Sequence, residues 1–204
     1  MIAIVDYGMG NRRSVEKAFA HVGAPSVLTS DPDVISAAEG LVVPGVGAFP
    51  EAMRRLRAAG FDDLITARAA EGTPVIGLCL GMQLLFESSE EHEGERGLGL
   101  LPGRVTKLDT AGLNLPHIGW NMVRWTRRSP LVDGLPDEAA FYHVHSFAPV
   151  PEDDSIVLGR GEYGTPFVSF VERDNVFGAQ CHPEKSSANG LRVLGNFVRA
   201  AVPA

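Results

Sequence analysis

The feature of this sequence with the clearest chemical meaning is a cysteine flanked by glycines. An apolar, strand-like segment, residues 74–78, leads into Gly77-Leu78-Cys79-Leu80-Gly81, and a helix-like segment follows. This is the layout of a nucleophile elbow with cysteine in place of serine. Glycine lets the backbone turn sharply, and the turn leaves the sulfur at the amino end of a helix, where the helix dipole favours thiolate over thiol. The alternative is a buried core cysteine beside glycines needed for packing.

A candidate base and a candidate orienting acid follow much later in the chain. A cysteine nucleophile needs a base, and the base needs a group that orients it. After the strand-like run 175–179, His182 can be the base and Glu184 the orienting carboxylate, while Pro183 stiffens the link between them. His182 follows Cys79 by 182 − 79 = 103 positions, as expected if different strand ends converge on one site. The alternative for His182 alone is a polar surface histidine.

Length and composition narrow the class of protein. The 204 residues carry a net charge of −7, with 45% hydrophobic and 21% charged residues, which is ordinary for a globular enzyme and predicts a single domain over residues 1–204. The negative charge argues against a nucleic-acid partner. Residues 1–6 read as a strand without signal-peptide features, and no apolar run approaches the roughly 20 residues that cross a bilayer. We therefore expect a cytoplasmic protein without a membrane partner.

Strand-like and helix-like segments alternate in the first half of the chain. Strands are predicted at 2–6, 26–29, 41–43 and 74–78, and helices at 12–22, 50–59 and 61–71, with a further helix beginning at Asp31-Pro32-Asp33. This alternation predicts a parallel sheet with helices on both faces, and such sheets place their sites at the carboxyl ends of strands. Asp6, the 44–47 turn and Cys79 all fall at such ends.

The second half of the chain has a different residue pattern, which indicates a different kind of sheet. From residue 94 to 169, frequent Gly and Pro with short alternating runs predict antiparallel strands and hairpins appended to the sheet. The acidic stretch 87–96 is predicted to be a solvated loop, and a last helix runs from about 187 to 201. The predicted fold class is therefore α/β, a mostly parallel twisted sheet flanked by helices with an antiparallel extension.

The sequence predicts no cofactor and no metal. Gly8-Met9-Gly10 follows the first strand as in a dinucleotide fingerprint, but the third glycine position is Arg13 and no acidic ribose partner is evident. His117, His143 and His145 are not grouped with cysteines or acids in a zinc pattern.

The two cysteines are not expected to form a disulfide. Neighbouring residues of a strand point to opposite faces, so if His182 faces Cys79, Cys181 faces away. Cys181 is most simply a small buried apolar residue.

The motifs together carry a family resemblance. Gly-Leu-Cys-Leu-Gly with His-Pro-Glu resembles the class I (triad) glutamine amidotransferases. Further stretches are similar to the glutaminase subunits of imidazole glycerol phosphate synthases, namely Asp6–Asn11, Pro44–Phe49, Pro116–Asn121 and Phe141–Phe147. With His-Pro-Glu-Lys-Ser they span positions 6 to 186, nearly the whole chain. The resemblance implies a Cys79–His182–Glu184 triad that hydrolyses L-glutamine to glutamate and ammonia through a thioester.

Such a reaction needs N–H donors for the oxyanion of its tetrahedral intermediate. The N–H of Leu80, directly after the nucleophile, is one candidate. Glycines in Gly45-Val46-Gly47 would let a peptide plane rotate and present a second, from Val46 or Gly47, although an ordinary strand-to-helix turn explains them as well. The resemblance favours the oxyanion role and implies that this loop switches with the state of a partner.

Substrate-binding residues are predicted around the nucleophile. Gln83 lies one helical turn after Cys79 and can hydrogen-bond a polar substrate, the alternative being a surface glutamine. Ser146 and Phe147 resemble the family segment that holds the α-amino and carboxylate groups of glutamine, and Gly45 is also predicted to contact substrate. The chain departs from the expected family residues at His143, Phe147 and Cys181.

The resemblance also implies a protein partner. Ammonia is mostly protonated in neutral water, so it must pass directly to an acceptor site, and this chain has no evident second site. The implied acceptor is the cyclase subunit, a (β/α)-barrel that forms a heterodimer with the glutaminase. It makes imidazole glycerol phosphate and an aminoimidazole carboxamide ribotide in histidine biosynthesis.

Asn11, Trp120 and Lys185 are predicted at the interface with this partner, although core packing is the alternative for Trp120. Two rival functions stay open. One is another triad amidotransferase, such as one that feeds pyridoxal phosphate or anthranilate synthesis, and the other is a catalytically silent scaffold subunit.

Overall fold

The computed structural model describes residues 1–92 and 94–202. Its helices are α1 (Arg12–His21), α2 (Pro32–Ser36), α3 (Phe49–Ala58), α4 (Phe61–Ala70), α5 (Leu80–Leu84) and α6 (Ser187–Ala201). Its strands are β1 (Ile2–Val5), β2 (Ser26–Thr29), β3 (Gly40–Gly45), β4 (Val75–Cys79), β5 (Phe86–Ser89), β6 (Glu95–Arg96), β7 (Leu101–Lys107), β8 (His117–Trp125), β9 (Glu138–His145), β10 (Phe147–Pro151), β11 (Val157–Tyr163), β12 (Thr165–Arg173) and β13 (Val176–Ala179). Short 3₁₀ turns lie at Pro130–Val132, Asp154–Ile156 and Pro183–Lys185.

The larger sheet joins a parallel half to an antiparallel half. Its strand order is β2-β1-β3-β4-β13-β12-β11-β8-β9. Strands β2, β1, β3, β4 and β13 run parallel, and each later strand is antiparallel to its neighbour. A smaller sheet has the order β10-β7-β5-β6, with β5 and β7 paired in parallel. The α/β fold with a parallel sheet and an antiparallel extension agrees with the sequence-based prediction.

The parallel strands are buried on both faces, because helices cover both sides of the sheet. Successive residues of β1 enter two different cores: Ile4 lies in one with Phe19 of α1 and helix α6, and Val5 lies in the other with Phe49 of α3 and helix α4. The candidate site residues lie at the carboxyl ends of the parallel strands, where Gly45 ends β3 and Cys79 ends β4.

Most predicted elements agree with the structure to within one or two residues, and the predicted final helix coincides with α6. The prediction for the stretch 87–96 was wrong. This stretch was predicted to be a solvated loop, but it contains most of β5 and all of β6, and Ser89 is buried because β5 pairs with β7. Residue 93 of this stretch lies outside the described residues. The pairing that orders the stretch comes from a strand further along the chain, so local polarity did not reveal it.

The helices are short relative to a bilayer. α6 spans 15 residues, and across residues 1–92 and 94–202 no helix has both the length and the apolar character that a membrane crossing requires.

Candidate active site

Cys79 occupies the sharp turn between β4 and α5. Its φ is 54° and its ψ is −113°, a backbone conformation that residues with a Cβ rarely adopt and that costs about 1–3 kcal/mol. Because strand and helix meet at this single residue, the side chain leaves the plane of the sheet. The strand-to-helix turn predicted from Gly-x-Cys-x-Gly is therefore present, with Cys79 at its apex.

The two glycines of this motif are required by backbone packing. A Cβ on Gly81 would lie 1.8 Å from the carbonyl oxygen of Val43 in β3, and a Cβ on Gly77 would lie 2.4 Å from the carbonyl oxygen of Gly81. Both distances are far inside van der Waals contact, and the obstacle in each case is backbone rather than a movable side chain. Glycine at both positions lets β3, β4 and α5 approach closely enough to form the turn.

The turn that follows β3 lies beside the cysteine. β3 and β4 pair in parallel with Gly45 opposite Cys79, so residues 45–47 begin next to the nucleophile. Gly47 has a φ of +104°, which favours glycine. Val46, Gly47 and Leu80 line the same cavity as Cys79. This placement suits the predicted oxyanion donors, whose role stays a prediction.

A 3₁₀ turn joins the candidate base to its candidate orienting acid. Pro183 begins the turn, a position that proline suits, and the Lys185 N–H donates to the His182 carbonyl over 2.9 Å. The turn folds Glu184 back, so that its Oε1 accepts a hydrogen bond of 2.9 Å from His182 Nδ1. With the proton fixed on Nδ1, Nε2 is the nitrogen that can exchange a proton with a reacting group.

The electrostatics of the site favour a charged imidazole. Burial disfavours the charge on His182, but the neighbouring Cys79 and Glu184 outweigh burial and raise the pKa of His182 to about 10. The Cys79 thiol points to the carbonyl oxygen of Val144, with a Sγ–O distance of 3.8 Å. Hydrogen bonds between catalytic groups are often long in free enzymes and tighten when substrate binds. An imidazolium beside a cysteine is suited to protonating a leaving group.

Cys79 and His182 share a cavity of about 330 Å³, the size of a small-molecule site. Its walls come from the ends of β4, β9 and β10, from α5 and from the 3₁₀ turn. The lining residues are Val46, Gly47, Cys79, Leu80, Gln83, Glu91, Pro116, Val144, His145, Ser146, Phe147, His182 and Lys185.

Three of the predicted substrate-binding residues are among these lining residues, namely Gln83, Ser146 and Phe147. Gln83 is buried rather than a surface residue, and its amide nitrogen donates to the Phe147 carbonyl over 3.1 Å and to Gln180 Oε1 over 3.0 Å. These bonds already occupy the Gln83 amide nitrogen, so its oxygen is the group left for substrate. Contact of all three residues with substrate stays a prediction.

Gly45 lies behind the cavity wall. A Cβ on Gly45 would lie 2.9 Å from the Gly81 nitrogen, from Leu80 Cβ and from the Tyr7 hydroxyl. That hydroxyl donates to the Pro44 carbonyl over 2.5 Å, and burial, with the Coulombic influence of Cys79, raises the pKa of Tyr7. The structure therefore gives Gly45 a packing role, and its contact with substrate stays a prediction.

Glu91 is a pocket residue that the sequence reasoning missed. Its side chain lines the cavity, and Glu91 Oε2 accepts a hydrogen bond of 2.8 Å from the Phe49 N–H at the start of α3. The position was obscured because Glu91 belongs to an acidic stretch in which no single residue is distinguished. Its carboxylate gives the cavity a negative group suited to a substrate ammonium.

The two cysteines are both free thiols in different surroundings. Cys181 is fully buried in the core on the α1 and α6 side of the sheet, and burial, with the charges of Glu184 and Cys79, raises the pKa of its thiol. Cys79 instead faces the cavity. The prediction that Cys181 is a small buried apolar residue is confirmed.

None of the predicted interface residues is buried in the core. Trp120 is 56% exposed, and it shares one face of β8 with two other exposed apolar residues, Ile118 and Met122. Core packing of Trp120 is thereby excluded. Lys185 is exposed at the cavity, and Asn11 is half-buried directly before α1, which contacts the 3₁₀ turn of Lys185. Their contact with a partner stays a prediction.

Comparison with known sequences places the chain in a family. The family model described as glutamine amidotransferase class-I matches residues 3–201. A relative from Desulfitobacterium hafniense, named imidazole glycerol phosphate synthase subunit HisH, is 49% identical over 97% of this chain and 93% of its own length. Proteins with the same name from Moorella thermoacetica and Aquifex aeolicus are 50% and 49% identical over 96% and 97% of this chain, and over 93% and 96% of their own lengths.

Solved structures share the fold at low sequence identity. A crystal structure described as a glutamine amidotransferase has a TM-score of 0.74 at 21% identity and covers 98% of each chain. PurLQS from Thermotoga maritima has a TM-score of 0.73 at 20% identity, over 98% of this chain and 97% of the other. From the family model and the close relatives, the chain belongs to the class I glutamine amidotransferases and, within them, to the imidazole glycerol phosphate synthase subunits HisH.

Proposed function

We propose that Cys79, His182 and Glu184 hydrolyse the side-chain amide of L-glutamine, and that the ammonia passes to the cyclase subunit of an imidazole glycerol phosphate synthase. The single observation that carries the catalytic part is the shared cavity. It holds a cysteine at the apex of a strained turn and a histidine whose Nδ1 is hydrogen-bonded to a buried carboxylate at 2.9 Å. A silent scaffold would have no need to keep this backbone strain.

In the first half of the reaction, the Cys79 thiolate attacks the amide carbon of glutamine. The carbonyl oxygen becomes an oxyanion, which the N–H of Leu80 and an N–H from Val46 or Gly47 stabilise. When the carbon–nitrogen bond breaks, the imidazolium of His182 gives the proton of its Nε2 to the departing ammonia. The product on the enzyme is a thioester between glutamate and Cys79.

In the second half, water replaces the thiol. Neutral His182 takes a proton from the water, which attacks the thioester, and Cys79 leaves as the thiolate with glutamate released. Glu184 keeps the proton on Nδ1 throughout and stabilises the charged ring. Glu184 Oε2 is buried and has no hydrogen-bond partner within the described part of the chain, so the imidazolium is the main counter-charge to this carboxylate.

The charges of the cavity fit an amino acid substrate. Glu91 presents a carboxylate to the cavity, which suits the α-ammonium group of glutamine. We place the α-carboxylate against the segment around Ser146 and Phe147. Gln83 offers its side-chain oxygen toward the amide that is cleaved.

The partner is proposed from the exposed face of β8, the strand that begins directly after Pro116 of the cavity wall. Ile118, Trp120 and Met122 form an apolar row on the outer face of β8, with exposed fractions of 61%, 56% and 51%. Burial of such a row in a heterodimer would remove apolar surface from water. Lys185 would pair with an acid of the cyclase subunit. Two free thiols suit the reducing cytoplasm.

The first experiment measures glutamate release by this chain alone and in complex with a cyclase subunit carrying its ribonucleotide ligand. We expect low activity alone and a rise of about 10² or more in the complex if the partner aligns the oxyanion loop. The cyclase subunit without its ligand is the control. Equal rates under all conditions would contradict coupling, and no activity under any condition would favour the scaffold.

The substitution Glu184→Gln is expected to change the pH dependence of catalysis. The carboxylate favours charged His182, so its removal lowers the pKa of His182 from about 10. Because the imidazolium is the acid for departing ammonia, the alkaline limb of kcat/KM should move to lower pH by about one unit or more. Activity at neutral pH should fall roughly 10- to 100-fold, because a neutral amide orients and stabilises the charged ring less well than a carboxylate does. The pH profile of glutamate release by the complex measures both effects.

The matched control is Glu152→Gln, which removes an exposed carboxylate away from the cavity. It should leave the profile where it is. An alkaline limb that stays in place in Glu184→Gln would mean that Glu184 does not set the charge of His182.

A further inference from the structure

A row of polar side chains, formed by two buried histidines and a half-buried asparagine, has no part in the mechanism above. His117 of β8 lies opposite His145 of β9 in the antiparallel pairing, and His117 Nδ1 is 3.1 Å from His145 Nε2. Asn121 Nδ2 is 3.3 Å from His117 Nε2, and His145 Nδ1 is 2.9 Å from the carbonyl oxygen of Phe147. We refer to Asn121, His117 and His145 as the polar row.

The groups at the two ends of the polar row fix every proton in it. The Phe147 carbonyl can only accept, so His145 Nδ1 carries a proton and, in the neutral ring, Nε2 is an acceptor. His117 must then donate from Nδ1, which leaves its Nε2 to accept from Asn121. The Asn121 nitrogen is identified as the donor because it also lies 2.8 Å from the carbonyl oxygen of Glu162. All hydrogen bonds therefore point from Asn121 toward Phe147.

The polar row is kept neutral by its surroundings. His117 is 2% exposed and His145 is 5% exposed. Burial lowers the pKa of His117 and lowers that of His145 to about 4. A second proton on His145 would put two N–H groups face to face between the rings, and a second proton on His117 would face the N–H of Asn121.

These histidines are not arranged for a metal ion. His143 packs against His117 and His145, and we refer to these three residues as the histidine cluster. His143 Nδ1 is hydrogen-bonded to the Phe141 carbonyl at 3.1 Å and its Nε2 to Ser169 Oγ at 2.8 Å. Both ring nitrogens of all three histidines thus have hydrogen-bond partners, and no group of three potential ligands in residues 1–92 and 94–202 could hold a metal. The rings serve as hydrogen-bonding parts.

The polar row ends at the segment predicted to hold glutamine. Residues 144–147 line the cavity. The Phe147 carbonyl accepts one hydrogen bond from His145 and another of 3.1 Å from Gln83 Nε2 in α5. Two donors from different elements therefore hold the Phe147 carbonyl, which fixes its direction and restrains residues 144–147 at the carboxyl end of the segment.

We propose that His145, held in a single tautomer by His117 and Asn121, is a positioning residue that keeps residues 144–147 in the geometry that binds glutamine. The inference rests on the proposed function. His145 itself takes no part in proton transfer. Its contribution is to substrate affinity, because the segment contacts parts of glutamine that do not change during the reaction.

Two amide substitutions separate the two hydrogen bonds of His145. In His145→Asn the amide nitrogen takes the place of Nδ1 and keeps the bond to the Phe147 carbonyl. In His145→Gln the amide reaches the place of Nε2, which keeps a partner for His117 and loses the bond to Phe147. We expect His145→Gln to raise the KM for glutamine roughly tenfold with kcat changed less than about threefold, and His145→Asn to retain a KM within about threefold of the parent.

The measurement is steady-state glutamate release by the complex with the cyclase subunit. His143→Asn is the matched control, because it also buries an amide in the histidine cluster but touches neither Phe147 nor the polar row by a hydrogen bond. It should leave KM unchanged. A thermal unfolding scan of each variant separates loss of folded protein from loss of affinity.

The outcomes decide between positioning and general packing. An unchanged KM in His145→Gln, or an equal rise in both His145 variants, would overturn the proposal. If His145→Gln does not fold, His117→Phe keeps the ring and removes the donor to His145, and it should raise KM about threefold to fivefold with kcat retained. An unchanged KM there overturns the proposal as well. Absence of glutamine hydrolysis in the parent complex would instead refute the proposed function.

Discussion

Replacing Cys79 by alanine is expected to abolish glutamine hydrolysis by the complex, with a fall in kcat of about 10⁴ or more, because the covalent route through the thioester is lost. Alanine also has a Cβ and must adopt the same φ of 54°, so the substitution removes the sulfur without relieving the backbone. Glutamate release measures the loss. The acceptor reaction of the partner, supplied with an ammonium salt, should persist and show that the partner itself is active.

The chain offers a matched control in its second thiol. Cys181 is fully buried on the other side of the sheet, so Cys181→Ala removes a sulfur from the core and not from the cavity. It should retain activity and lower the free energy of unfolding by about 1 kcal/mol. Iodoacetamide should label Cys79 selectively, and glutamine should slow the labelling. Retained hydrolysis in Cys79→Ala would exclude Cys79 as the nucleophile.

The substitution Gly81→Ala is expected to have the largest effect on stability. The added Cβ would lie 1.8 Å from the Val43 carbonyl oxygen and 2.8 Å from the Val43 carbonyl carbon. Neither atom can move without displacing β3, which carries the loop of Gly45–Gly47. We expect the free energy of unfolding to fall by about 3 kcal/mol or more, since no compact arrangement accommodates the methyl group beside this strand. Urea unfolding measures the change.

Gly195→Ala is the control, because here the same substitution is expected to raise the free energy of unfolding. Gly195 lies within α6, and a Cβ there would meet atoms no nearer than 3.9 Å. Alanine stabilises a helix interior relative to glycine by up to about 1 kcal/mol. If Gly81→Ala unfolds at the same urea concentration as the parent, the contact between α5 and β3 is not as close as the structure indicates.

The turn at Cys79 and the turn that joins His182 to Glu184 could be predicted because each is specified by residues close to it in the sequence. Glycines around Cys79 and a proline between His182 and Glu184 specify backbone turns directly, and the order of strands and helices specifies the parallel half of the sheet. The register of β3 beside β4 then follows from packing, and it brings Gly45 opposite Cys79. Three stretches far apart in the sequence could thus be assigned to one site.

The parts that could not be predicted depend on pairing between distant strands. Nothing near Glu91 distinguishes it from the other acids of its stretch, and only the contact with the Phe49 N–H brings it to the cavity. The hydrogen bond between His117 and His145 depends on the register of β8 against β9. The alternation of apolar and polar residues does not fix this register, because a shift by any even number of residues keeps the same side chains on each face. The exposure of Trp120 likewise depends on which face of β8 lacks a covering layer.

The strained backbone at Cys79 has a consequence for the evolution of this chain. A residue at φ 54° and ψ −113° destabilises the native state by about 1–3 kcal/mol, and glycine is the substitution that relieves this strain. A descendant that no longer needed to hydrolyse glutamine would gain stability by exchanging its nucleophile for glycine. Selection for folding and selection for activity therefore oppose each other at this single codon, and persistence of the cysteine marks a lineage in which catalysis is still maintained.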